Sequence, residues 1–161
     1  MQEKMANKIG LRPATDYDRE FLLRVYEASR DIELSMVPWD EAMKRKFIEH
    51  QFDAQLSHYS TEYPAARHDV ITLMDTGEPV GRLYVNRTPE QISVLDFTVL
   101  PEFRGRGIGS SIVEELTREA LASRRRVQIY VETFNPSKKF FIDRDFAEKE
   151  TDGINIRFVW G

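Results

Sequence analysis

The stretch VLDFTVLPEFRGRGIGSSIVEELTREAL, residues 94–121, decides how the rest of the chain is read. It opens with an apolar, β-branched run over residues 94–100, long enough for one buried strand and too short for a helix. Pro101 removes a backbone donor and ends the ladder, and Gly105, Gly107 and Gly109 then let the chain turn sharply. From Ile108 the apolar residues Ile108, Ile112, Val113, Leu116 and Ala120 recur at helical spacing, with Glu114, Glu115, Arg118 and Glu119 opposite them. The pattern predicts strand, glycine loop, helix.

Glycines at a helix start leave backbone N–H groups uncovered, and these orphan donors together with the helix dipole make an anion site. Arg104 and Arg106 add positive charge there, so the loop reads as a phosphate cradle; the competing reading is a tight structural turn with solvated arginines. No Gly-Lys-Ser/Thr follows, which argues against a nucleotide P-loop. A dinucleotide loop is a closer rival, because Gly105, Gly107 and Gly109 alternate and Glu132 lies near the end of the next strand. Such loops usually open their domain, whereas here a hairpin-like pair of strands precedes the loop and only a short tail follows.

Arg104, Gly107 and Gly109 also meet the pattern Arg/Gln-x-x-Gly-x-Gly/Ala, directly after a strand ending Val99-Leu100-Pro101. In this the chain resembles the GNAT superfamily of acyl-CoA-dependent N-acetyltransferases, whose pyrophosphate loop reads much like LPEFRGRGIGSSIVEEL. Asn135-Pro136 and the aromatic segment running from Lys139 through Phe140 and Phe141 to Phe146 resemble the family's later signature. The likeness is strong over residues 94–146 and looser, by order of elements, elsewhere. It implies an α/β (mixed α+β) fold with a mixed, mostly antiparallel central sheet flanked by helices.

Length fits a single domain over residues 1–161, since 161 residues bury one core and leave no room for two sizeable ones. No apolar run approaches the roughly 20 residues of a membrane span, and residues 1–8 lack the apolar core of a signal peptide. With no cysteine there is neither a disulfide framework nor a catalytic thiol, and a cytoplasmic location is expected. The net charge of −4 is uneven: residues 101–144 carry nine Lys/Arg and six Asp/Glu, a balance of +3, so the remainder carries −7. The acidic remainder favours a cationic acceptor and disfavours nucleic acid. Arg124-Arg125-Arg126 reads as a solvated helix C-terminus. His50, His58 and His68 lack ligand spacing and cysteine companions, so no metal site is expected.

Along the chain, residues 9–14 form a first strand, and Thr15 caps a helix striped by Phe21, Leu22, Val25, Tyr26 and Ile32. Residues 30–39 break that pattern. A second helix starts near Pro38-Trp39-Asp40-Glu41 and runs through Phe47, Ile48 and Phe52; residues 55–68 read as a loop or broken helix in which His58 and Tyr59 are candidate pocket residues. A hairpin over residues 70–85 turns at Asp75-Thr76-Gly77-Glu78, and a second turn at residues 87–90 leads to the central strand. Residues 127–131 should pair parallel to that strand after the helical crossover. A short helix over residues 136–143 and a strand over residues 154–159 close the chain.

The resemblance implies direct attack of an amine, small molecule or peptide, on the thioester of acetyl-CoA within a ternary complex. The diphosphate is then held by Arg104, Gly105, Arg106, Gly107, Ile108, Gly109 and Ser110, while Phe97, Thr98 and Val99 grip pantetheine and Asn135 and Phe141 line the cofactor further on. The backbone N–H of Val99 is the expected oxyanion donor, and Glu33 and Trp39 are candidate acceptor contacts. A protonated amine, with a pKa of about 10.4, has no lone pair to attack with and needs a base or a proton path. Asp96 is the candidate base, as the only acid inside the central strand; the competing reading is that it holds a backbone or arginine partner. Glu90 is a weaker substitute acting through water. Phe141 stands where the family usually has a tyrosine that protonates the leaving thiolate, and Tyr130 or water are the substitutes. That departure keeps a second function class open, an acyl-CoA-binding sensor or interaction module with little turnover. A homodimer through a sheet edge or the C-terminal strand would suit the family.

Overall fold

The computed structural model describes residues 8–133 and 135–161. The strands are β1 (Ile9–Pro13), β2 (Arg67–Leu73), β3 (Pro79–Arg87), β4 (Gln91–Val99), β5 (Arg126–Glu132), β6 (Ala147–Thr151) and β7 (Asn155–Trp160). The helices are α1 (Arg19–Ser29), α2 (Asp31–Ser35), α3 (Glu41–Glu62), α4 (Ile108–Ser123) and α5 (Lys138–Ile142). The strands make one mixed, mostly antiparallel sheet in the order β1-β2-β3-β4-β5-β7-β6, flanked by helices as expected. No helix among the described residues is long and apolar enough to cross a membrane.

The chain divides into two compact units. The first runs to Tyr84 and takes in Asp96–Gly109. There β1 lies antiparallel to β2, with Ile9 opposite Leu73 and Pro13 opposite Asp69. Helix α1 turns Leu22, Leu23, Val25 and Tyr26 inward at spacings of one and three to four residues, which is one helical face. Helix α3 starts cleanly because Asp40 Oδ1 accepts the Met43 N–H at 2.8 Å, satisfying one of the orphan donors. Its Ile48 and Phe52 join Leu22, Leu23, Tyr26, Leu34 and Val70 in a single apolar cluster, with Tyr26 edge-on to Phe52 at 5.8 Å.

Two expectations need correction in this unit. Residues 55–62, expected as a loop or broken helix, are the unbroken end of a 22-residue α3. No Gly or Pro interrupts the segment before Pro64, and Tyr59 is anchored by an edge-on contact with Tyr84 at 4.9 Å. Ile32 does not extend the α1 stripe; α1 stops at Ser29, and in the short α2 it is Leu34 that is buried while Ile32 is 54% exposed.

The second unit comprises Val85–Leu95 and Ser110–Gly161. Here β4 and β5 run parallel, Gln91 opposite Arg126 and Val94 opposite Ile129, the arrangement a helical crossover requires. β7 lies antiparallel to β5, with Val127 opposite Trp160 and Glu132 opposite Asn155. The outermost strand β6, Ala147-Glu148-Lys149-Glu150-Thr151, is exposed along its whole length, and its charges guard an edge that would otherwise pair with other chains. It carries no apolar alternation, so nothing in its sequence marks it as a strand.

Candidate active site on the central strand

The loop after β4 is built by local rules. Leu100 rejoins the ladder by donating to the Val80 carbonyl at 2.8 Å, and a single 3₁₀ turn over Pro101–Phe103 follows, with Phe103 N–H on Leu100 O at 3.0 Å. Gly105 and Gly107 have φ of +76° and +81°, the left-handed region that side chains rarely adopt. A Cβ on Gly105 would meet nothing within 4 Å, so backbone conformation and not crowding accounts for that glycine. The turn delivers the chain into α4 at Ile108, which is buried and pins the first helical turn.

Arg104 and Arg106 are both exposed at this turn. Arg104 Nε donates to the Val99 carbonyl at 3.0 Å, tying the arginine to the end of β4. The Arg106 guanidinium lies 5.1 Å from the Phe103 ring centre, a cation–π contact that orients it. Among the described residues neither guanidinium has a carboxylate partner; Glu102, the acid in the same turn, is taken by Arg24 at 2.5 Å. Uncompensated charge beside glycines at a helix start is the chemistry of an anion cradle.

Upstream, β4 presses closely onto β3. The Thr98 carbonyl oxygen lies 2.5 Å, and Val99 Cα 3.2 Å, from where a Cβ on Gly81 would sit, so only glycine admits this approach. Phe97, Thr98 and Val99 are half-buried in this tightened segment. Asp96 is committed to partners: its Oδ2 accepts from Arg82 Nη1 at 2.7 Å and its Oδ1 from Thr98 Oγ1 at 3.0 Å. Of the two readings of Asp96, the arrangement displays the arginine partner.

The sequence offered an arginine partner for Asp96 but did not identify it as Arg82, nor did it bring Gln55 and His68 to the same group. The Arg82 guanidinium is fully buried and also donates from Nη1 to Gln55 Oε1 at 2.6 Å and from Nε to His68 Nε2 at 2.9 Å. A charged residue inside the apolar run Pro79-Val80-Gly81-Arg82-Leu83-Tyr84-Val85 was the available signal. Burial, and then the Arg82 charge, push His68 down to about 4, so it is a neutral acceptor; its ring stacks on Tyr84 at 4.4 Å. Burial, and then the Asp96 charge, push the Tyr59 phenol up to about 12.

The remaining expected residues have local partners. In the second unit Ser110 Oγ accepts from Arg144 Nη2 at 2.5 Å, and Asn135 Oδ1 accepts the Ser137 N–H at 2.8 Å, closing the turn at Pro136. Phe141 is buried and packs edge-on against Phe146 at 5.4 Å, so its ring fills core volume. In the first unit Glu33 pairs with Arg30 at 3.1 Å, Trp39 packs on Phe47 at 5.2 Å, and His58 is exposed with its ring 5.9 Å from that of Tyr59. Glu90 and Tyr130 are exposed.

Solved structures share this fold over nearly the whole chain. The PaiA N-acetyltransferase from Thermoplasma acidophilum, determined in complex with coenzyme A, is 16% identical with a TM-score of 0.69, covering 95% of this chain and 98% of that one. An acetyltransferase from Thermus thermophilus is 23% identical with a TM-score of 0.67, covering 94% and 96%. Ard1 from Thermoplasma volcanium is 18% identical with a TM-score of 0.60, covering 94% and 95%. No curated protein matches the chain in sequence. The family model described as Acetyltransferase (GNAT) family matches residues 22–146, from α1 through the glycine loop to Phe146, and the chain therefore belongs to that family.

Proposed function

We propose that the chain moves the acetyl group of acetyl-CoA to the nitrogen of an amine acceptor by direct attack in a ternary complex. The observation that carries this reading is the loop at residues 104–109: two glycines in left-handed conformation, a helix start, and two exposed arginines without a carboxylate partner among the described residues. The coenzyme A complex of PaiA N-acetyltransferase, a protein of the same fold, supports the choice of carrier. The family's chemistry supports acetyl as the group moved.

In this reading the loop holds the diphosphate and sets the thioester against the end of β4. The backbone N–H of Val99 donates to the thioester oxygen as negative charge develops, a contribution of about 3 to 4 kcal/mol for one well-placed donor. Phe97 and Thr98 flank the pantetheine arm. Asp96 serves here as the anchor of Arg82 and Thr98 and not as the base: its two oxygens are turned to the Arg82 guanidinium and the Thr98 hydroxyl, at 2.7 and 3.0 Å. The amine proton passes to water. The leaving thiolate, with a thiol pKa of about 8.5, departs without a side-chain acid, which suits a chain whose Phe141 has no proton to give.

Thiol release from acetyl-CoA, measured against polyamines, aminoglycosides, amino acids and peptides, tests the proposal. Release with at least one amine class, with acetyl found on its nitrogen, is the expected result. Binding of acetyl-CoA with no release across the whole panel would replace it with the acyl-CoA sensor reading.

A further inference from the structure

Arg82 has no part in the family chemistry set out above, yet three elements besides its own strand converge on it. Its Nη1 reaches Gln55 of α3 and Asp96 of β4, its Nε reaches His68 of β2, and its Cζ lies 5.3 Å from the ring centre of Phe52 in α3 and 5.5 Å from that of Tyr84 in its own strand β3. Through Asp96 the network extends to Thr98 Oγ1, one residue before the backbone N–H assigned to the thioester oxygen.

Stability is a poor explanation for such a residue. Removing a guanidinium from water costs several kcal/mol, and apolar side chains of the same volume do as well or better. Arg82 Nη2 is moreover buried without a partner among the described residues, a further cost that a residue kept for packing would not incur. What arginine supplies, and neither lysine nor a hydrocarbon does, is a rigid planar fork that fixes several partners in set directions at once.

We infer that Arg82 is a positioning residue for acetyl transfer: it locks the segment Asp96-Phe97-Thr98-Val99 of β4 to α3 and β2, so that the Val99 amide is held in register. Gly81 acts beside it, admitting the Thr98 carbonyl that the lock presses onto β3. The inference rests on the proposed acetyl transfer for its effect on rate, and on the geometry alone for its effect on the strand.

The experiment compares wild type with Arg82→Met and Arg82→Lys, reading steady-state kinetics and amide hydrogen exchange in the same preparations. Turnover should fall at least tenfold in both variants, by more than KM for acetyl-CoA rises, because the diphosphate grip assigned to residues 104–109 is untouched. Exchange over residues 96–100 should quicken at least tenfold while that of α1 is unchanged. Turnover within threefold of wild type, a loss explained by KM, or unchanged exchange over residues 96–100 would overturn the inference. Should Arg82→Met fail to fold, Arg82→Lys is judged alone by the same thresholds. If wild type turns over no acceptor, the proposed function falls, and exchange alone decides the role of Arg82.

Discussion

His68 is held neutral by burial and by the Arg82 guanidinium that donates to it. Its ordinary pKa of 6.5 falls to about 4 in the fold, so the unfolded chain takes up a proton first as the pH drops. The contribution is complete above pH 6.5 and is lost as the pH falls through 4. The gap corresponds to at most about 3 kcal/mol, less whatever solvent contact returns. Asp18 is separate: its hydrogen bonds from Arg12 lower it from 3.8 to about 2, so its contribution survives until far lower pH. Urea unfolding at pH 7.5 and 4.5 should therefore show wild type losing about 2 kcal/mol that His68→Gln, which keeps an acceptor for Arg82, does not lose. Equal losses in the two proteins would assign the acid sensitivity elsewhere. None of this was visible in the sequence, where His68 was one of three scattered histidines; what a histidine does depends on which strand brings an arginine to it.

At the scale of elements, the pairing of β3 with β4 sets the geometry of the site. Alanine at Gly81 would place a Cβ 2.5 Å from the Thr98 carbonyl oxygen and 3.2 Å from Val99 Cα, both backbone atoms of β4 that cannot swing aside as a side chain would. Overpacking of this kind costs about 1 to 3 kcal/mol, so Gly81→Ala should lower the melting temperature by several degrees and reduce turnover by more than that loss of stability explains. A variant with wild-type turnover would show that the close approach is incidental. The glycine loop, α4 and the parallel β4–β5 pair were legible because period, proline and glycine all agree there. The C-terminal half of α3 was not, since His58, Tyr59 and Tyr63 suggest a loop until Tyr84 is known to stand opposite. β6 was not either, because an exposed edge strand made of Ala147, Glu148, Lys149, Glu150 and Thr151 has no apolar face to betray it.

For the whole molecule, the family resemblance and the parallel pairing of β4 with β5 were legible in one segment, residues 94–121, whose local pattern has few other solutions. The site divides differently. Backbone features such as the turn at Gly105 and Gly107 depend on local sequence and could be foreseen. Side-chain clusters such as Gln55, His68, Arg82 and Asp96 join residues scattered along the chain and could not. The uneven charge, +3 over residues 101–144 against −7 elsewhere, is what the proposed anionic carrier and cationic acceptor would call for. The account stands or falls with the carrier. Calorimetric titration of coenzyme A into wild type and Gly107→Glu, which sets a carboxylate where the diphosphate belongs, should give saturable binding at one site in the first and no heat in the second, with both proteins folded. Binding unaltered by Gly107→Glu, or no binding by wild type, would contradict it.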